Sequence, residues 1–253
     1  MTTATTLDEV TELVTTLLAA PPEQLTNCGG WTVHDLTAHL AAGAAETADL
    51  IEARVAGAPD RATRPLADRE APYRALPATE LRNRLLAEAG RLTAAQERLG
   101  AGSVLFTGRR MTAADFALHG RSECALHRWD IAGRDDAGWS LLGRPDLTEH
   151  ALTVLTEMST LAETPHRRVA AAGVPAGTRA VLRSEGADDV LVEVAGAAVH
   201  LTARPPGEGP VALELDAAAR LLLLWGRREP SAPMRLGTSD AATHGLLAAL
   251  GAG

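Results

Sequence analysis

Residues 112–133 read TAADFALHGRSECALHRWDIAG. Thr112 with Asp115 three positions on is a variant capping box, the usual start of a helix. Gly133 is where that helix should end. Within it, Phe116, Gly120, Glu123, His127 and Asp130 recur at helical spacing and form one continuous stripe. A stripe that opens with Phe and Gly is expected to face the interior of a bundle. Glu, His and Asp are costly to bury there without partners. Glu123 and His127, four apart, share a face.

The same design recurs upstream. Cys28-Gly29-Gly30-Trp31 is a turn, Thr32 is the next N-cap, and Asp35 completes its box. The helix that follows carries Val33, Leu36, Leu40, Gly43, Thr47 and Leu50 on one side and should fade near Gly57. His39 lies among Leu36, Leu40 and Gly43. Two imidazoles and a carboxylate are the ligand set of an open catalytic zinc or iron(II) site. His39, Glu123 and His127 are therefore candidate ligands, and Asp130 could orient a ligand imidazole or hold a substrate group. A hydrogen-bonded core histidine and a plain Glu–His helix pair are the alternatives that spacing leaves open. His34, in a first helical turn, is expected to be exposed. His119 adjoins the stripe, and His150, His166, His200 and His244 have no cluster around them.

Outward from these two helices, Leu7, Val10, Leu13, Val14 and Leu17 predict a first helix that stops at Pro21-Pro22. Residues 58–77, with Pro59, Pro65, Pro72 and Pro77, read as one long connection of the kind that is often functional. Further helices are predicted from Ala78 to Leu99 and from Asp146 to Ala170, with Val104-Leu105-Phe106 extended between them. Four or five helices of this length make a bundle. After Gly173 the pattern changes to short Val- and Leu-rich strands at 178–183, 190–195, 198–203 and 211–215. Helices at Ala217–Trp225, capped by Asp216, and Ala241–Leu250 follow. The predicted class is α+β, with a helical domain over 1–172 and a small α/β domain over 173–253.

The chain has 253 residues, 46% of them hydrophobic but only 3% aromatic, so its core is built mainly from Leu, Ala and Val. All 24 basic residues are Arg, the coding bias expected of a GC-rich source such as an actinobacterium. A net charge of −8 argues against nucleic acid or an anionic membrane as partner. No secretory signal and no transmembrane run are read, so a cytoplasmic protein is expected. Cys28 and Cys124 allow one disulfide at most. There is no Lys for a phosphate loop or a Schiff base, no Gly-x-Ser-x-Gly and no Cys-x-x-Cys.

The segment from Gly30 to Leu40, GWTVHDLTAHL, resembles a signature of the mycothiol-dependent maleylpyruvate isomerase family, part of the DinB-like four-helix bundle superfamily. Glu123 to Gly133, ECALHRWDIAG, resembles the second signature, Glu-x-x-x-His-x-x-Asp. The C-terminal part is similar in outline to a small α/β sterol-carrier-like domain. The resemblance implies zinc or another divalent metal held by His39, Glu123 and His127, with Asp130 near the site and mycothiol as co-substrate. The expected activity is that of a cis–trans isomerase or thiol S-transferase on a small electrophilic substrate, with His39 and Asp130 taking part in catalysis. Arg69, in the 58–77 connection, is the candidate for a substrate carboxylate. A metal-dependent hydrolase using activated water and a non-catalytic ligand-binding module are the alternatives. Bundles of this type are often homodimers, though no exposed apolar stripe argues for one here.

Overall fold

The computed structural model describes residues 8–207, 210–237 and 240–251, with the backbone alone for residues 159, 160, 162 and 163. Leu7 of the first helical repeat lies outside the described residues. The chain divides into two compact units, one over Glu9–Gly133 and one from Arg134 onward.

The first unit is helical. It comprises α1 (Glu9–Ala19), α2 (Val33–Val55), α3 (Leu66–Arg74), α4 (Ala78–Leu99) and α5 (Ala113–Ala132), with a hairpin of β1 (Ser103–Phe106) and β2 (Arg109–Thr112) before α5. Both predicted capping boxes form. Thr32 and Thr112 accept from the N–H groups of Asp35 and Asp115, whose carboxylates bond back to the cap backbone. The inner face of α2 is mostly alanine: Ala38, Ala41, Ala42, Ala45 and Ala48 are all buried. Such small side chains let a neighbouring helix approach closely, and α4 packs there, with Leu81 against Ala38 and Ala41. α1 packs on α5, its Leu13 and Leu17 meeting Val33, Leu36 and Ile131.

The last carbonyls of α5 are not left open, although a helix end has no partners of its own for them. Asn27 N–H donates to the Asp130 carbonyl at 2.7 Å, and the Gln24 amide donates to that of Ile131 at 3.0 Å. The 20–31 segment thus fixes the end of the helix that carries the candidate ligands. The β1–β2 hairpin turns through Thr107 and Gly108, with φ of 46° and 93°. Two residues at positive φ suit a tight hairpin turn, and glycine takes the second without strain.

The 58–77 connection is only partly irregular, because residues 66–74 form α3. Its polar composition and internal Pro72 hide it from a periodicity reading. Residues 58–65 are a strap fastened from both sides. Arg61 and Arg64 bond the fully buried Glu46 of α2 at 2.6 and 2.5 Å. Thr63 accepts from the Thr107 N–H at 2.9 Å, and Arg110 reaches Asp60 at 2.5 Å.

The second unit holds a five-stranded sheet in the order β5-β4-β3-β6-β7: β3 (Arg179–Arg183), β4 (Asp189–Ala195), β5 (Ala198–Arg204), β6 (Leu213–Leu215) and β7 (Met234–Leu236). β3 and β6 are parallel and the other neighbours antiparallel. Helices α6 (Asp136–Leu142), α7 (Pro145–Glu157), α8 (Ser159–Ala171), α9 (Ala217–Leu224) and α10 (Ala241–Gly251) complete it. Asp216 caps α9 as expected, accepting from Ala219 N–H at 2.8 Å, and also accepts from the Trp139 indole at 3.1 Å.

The single helix expected from Asp146 to Ala170 is two, broken at Met158. α6, β2 and β7 are additions to the sequence reading. The change from helix to strand lies between α8 and β3, where the sequence expects it, while the division between units falls at Gly133. The reason is packing, since α6, α7 and α8 contact α9, α10 and β5. Among the described residues no helix is long and apolar enough to cross a membrane.

Candidate metal centre

His39 comes from α2, and Glu123 and His127 from α5. One ligand atom from each of the three lies within 4.8 Å of the others. The Nε2 atoms of both histidines face the same oxygen, Glu123 Oε2, at 3.6 Å for His39 and 3.4 Å for His127. These gaps are long for hydrogen bonds. They match the edge of a tetrahedron, which for zinc bonds of ~2.0–2.1 Å is about 3.4 Å.

The far side of each imidazole is bonded to a carboxylate. His127 Nδ1 pairs with Asp130 Oδ2 at 2.8 Å, and His39 Nδ1 with Glu70 Oε1 at 2.6 Å. A carboxylate on Nδ1 keeps the proton there and leaves the Nε2 lone pair forward, the arrangement found behind metal-bound histidines. The two rings meet edge to face with centroids 5.3 Å apart. The donor types, their spacing and their backing therefore fit a divalent ion.

The charges agree with that geometry. Burial opposes ionisation of Glu123, but the His127 and His39 imidazoles beside it hold its carboxyl well below the usual range. Burial would depress His127, yet Asp130 and Glu123 outweigh it and raise its pKa to about 9. An anionic site of this kind attracts a cation, a proton in the metal-free protein.

His119, one turn before Glu123, packs its ring edge-on to Phe106 at 5.9 Å, and burial lowers its pKa. His34 is half-buried rather than exposed, with its Nε2 3.1 Å from the Arg74 carbonyl. Cys28 and Cys124 are both half-buried and form no disulfide with each other. Cys124 packs against the Leu13–Leu36 core cluster.

Arg69 sits on α3 rather than on a loop. Its Nε and Nη1 are buried without hydrogen-bond partners. Burial lowers its pKa while Glu46, Glu70 and Glu123 act in the opposite direction; an arginine remains charged under either influence. A cavity of about 540 Å³ opens beside it between α2, α3 and α4, lined by Asp49, Arg64, Tyr73 and Arg84 among others. The sequence reading missed Glu70 and Arg74. The available signal was the Glu-x-x-x-Arg spacing in 70–74, which reads as an ordinary surface pair until α3 is known to be a helix.

The comparisons with known proteins agree with the two signatures. The family model described as the mycothiol maleylpyruvate isomerase N-terminal domain matches residues 4–132. The chain belongs to this family. The matched region of the mycothiol maleylpyruvate isomerase family contains all the converging side chains described above. Two solved structures share the fold. One is a histidine-to-alanine variant of the mycothiol-dependent maleylpyruvate isomerase, with 19% identity and a TM-score of 0.59 over 92% of this chain and 90% of the other. The second is that isomerase without the substitution, with 17% identity and a TM-score of 0.57 over the same shares. No curated protein sequence gives a significant match.

Proposed function

We propose that this protein is a metal- and mycothiol-dependent enzyme acting on a small electrophilic acid, as a cis–trans isomerase or a thiol S-transferase. The observation that carries the proposal is the convergence of two Nε2 atoms on one Glu123 oxygen, with each Nδ1 tied to a carboxylate. Family membership and the shared fold support the isomerase-like class.

His39, Glu123 and His127 would hold zinc or another divalent ion. A bound ion would supply Lewis acidity, stabilising a thiol co-substrate as thiolate at neutral pH. Asp130, fully buried behind His127, keeps that imidazole in one tautomer and one orientation. His39 would take part directly, as a ligand of that ion, with Glu70 behind its Nδ1. Arg69 is the group for a substrate carboxylate, because its unpartnered N–H donors would be satisfied by a planar anion.

The chemistry follows from the nucleophile. A thiolate adds to the electrophilic alkene carbon, forming a C–S bond as the alkene electrons move onto the conjugated carbonyl. The former double bond is then free to rotate. Return of the electrons expels the thiolate and leaves the trans alkene. Protonation of the adduct instead gives a stable S-conjugate.

The test is an assay of zinc-loaded protein with mycothiol and a cis enone acid. Isomer or conjugate should form only when metal and thiol are both present, and His39→Ala should abolish it. Ester or amide cleavage that needs metal but no thiol would replace this reading with a hydrolase.

A further inference from the structure

His39 is held on the side away from Glu123 by a chain of residues from three parts of the first unit. Glu70, its side chain 3% exposed, divides its two oxygens. Oε1 meets His39 Nδ1 at 2.6 Å, and Oε2 accepts from Arg74 Nη2 at 2.8 Å and Nε at 3.2 Å. Arg74 Nη1 donates to Asp35 Oδ1. The other oxygen of Asp35 is already committed to the α2 cap, accepting from Thr32 N–H at 2.9 Å and its hydroxyl at 2.7 Å. The Arg74 guanidinium carbon lies 5.0 Å over the Trp31 ring, which packs 5.2 Å from the His39 ring. Trp31, Asp35 and His39 are thus three residues of one sequence segment gathered around two residues of α3.

An ion pair that served only to dock α3 on α2 would need Arg74 and Asp35 but neither Glu70 nor the imidazole. Here the carboxylate gives one oxygen wholly to the ring. It does for His39 what Asp130 does for His127.

We propose that Glu70 is the positioning residue of His39, and that Arg74, gripped by Asp35 and Trp31, holds Glu70 in place, so that α3 helps to set metal affinity. This rests on the metal reading above. A carboxylate behind a ligand imidazole fixes its tautomer and raises its basicity, and losing it costs about 10–100-fold in metal affinity.

The experiment is zinc titration of the full chain against a chromophoric chelator, with the visible spectrum of the cobalt(II) form recorded alongside, for wild type, E70A and E70Q. Folding of each variant is checked by circular dichroism. E70A should bind zinc about 10–100-fold more weakly and shift the cobalt bands. E70Q, which keeps an acceptor but not the charge, should fall between E70A and wild type. If E70A does not fold, E70Q decides. Wild-type affinity and an unaltered cobalt spectrum in the folded variants would overturn the proposal while leaving the metal site standing. A wild-type protein that binds neither ion would overturn both.

Discussion

His127 meets Asp130 at Nδ1 and Glu123 at Nε2, and in the metal-free site its pKa rises to about 9. The sign follows directly. A raised histidine pKa stabilises the metal-free fold below about pH 6.5, and that contribution is lost as pH rises through about 9. A metal at Nε2 must displace this proton, so zinc affinity should climb with pH to about 9 and level off above. At pH 7 binding should release one proton from this group, measurable by calorimetry in two buffers of different ionisation heat. Arg69 supports an opposite kind of prediction. Because two of its N–H groups are buried without partners, Arg69→Met should leave the melting temperature unchanged or raise it. The same change should raise the KM for an anionic substrate at least about tenfold, since a charge-assisted pair is worth ~1.5–3 kcal/mol. A large fall in stability would instead make Arg69 structural. At this scale part of the cluster was legible, because helical spacing alone puts Glu123, His127 and Asp130 on one stripe, whereas the meeting of His39 with them is a matter of packing between α2 and α5. Glu70 was not legible, since its partner His39 is thirty-one residues away and its own helix has no apolar period.

The strap over residues 58–65 shows what one buried carboxylate does for an element. Arg61 and Arg64 hold Glu46 against its burial, bringing its pKa from 4.5 to about 2. A depressed carboxylate stabilises the fold above about pH 4.5, and the contribution fades as pH falls towards about 2. The shift is worth at most about 3 kcal/mol at neutral pH, because both guanidinium groups are partly exposed and screened. Glu46→Gln should therefore lower the melting temperature at pH 7 by several degrees, at about 2–4 °C per kcal/mol. The gap from wild type should narrow on acidification towards pH 3 in a melting series. A constant gap across that range would contradict the ionic account. The long helices were predictable from caps and stop signals, as Thr32, Thr112 and Gly133 show. The short elements were not. α6, β2 and β7 are too brief to display a period, and Met158, which breaks the expected fifth helix into α7 and α8, carries no turn signal in the sequence.

For the whole molecule, the change from helix to strand near residue 173 is legible in the sequence, while the division into compact units at Gly133 is not. Composition cannot reveal which helices a sheet recruits, because α7 and α8 look like bundle helices until their partners are known. Since the metal candidates, Glu70, Arg74 and Arg69 all lie within Glu9–Gly133, residues 1–133 expressed alone should fold and take up zinc. Catalysis is not required of that fragment, and an unfolded product would show that the unit depends on the rest of the chain. The central claim is that His39, Glu123 and His127 hold a metal ion. The most direct measurement is elemental analysis of protein purified without chelator, for wild type and for His127→Ala. The account predicts close to one zinc or other divalent ion per wild-type chain and a near-complete loss in the variant. No metal in the wild type after reconstitution, or equal metal in both proteins, would contradict it.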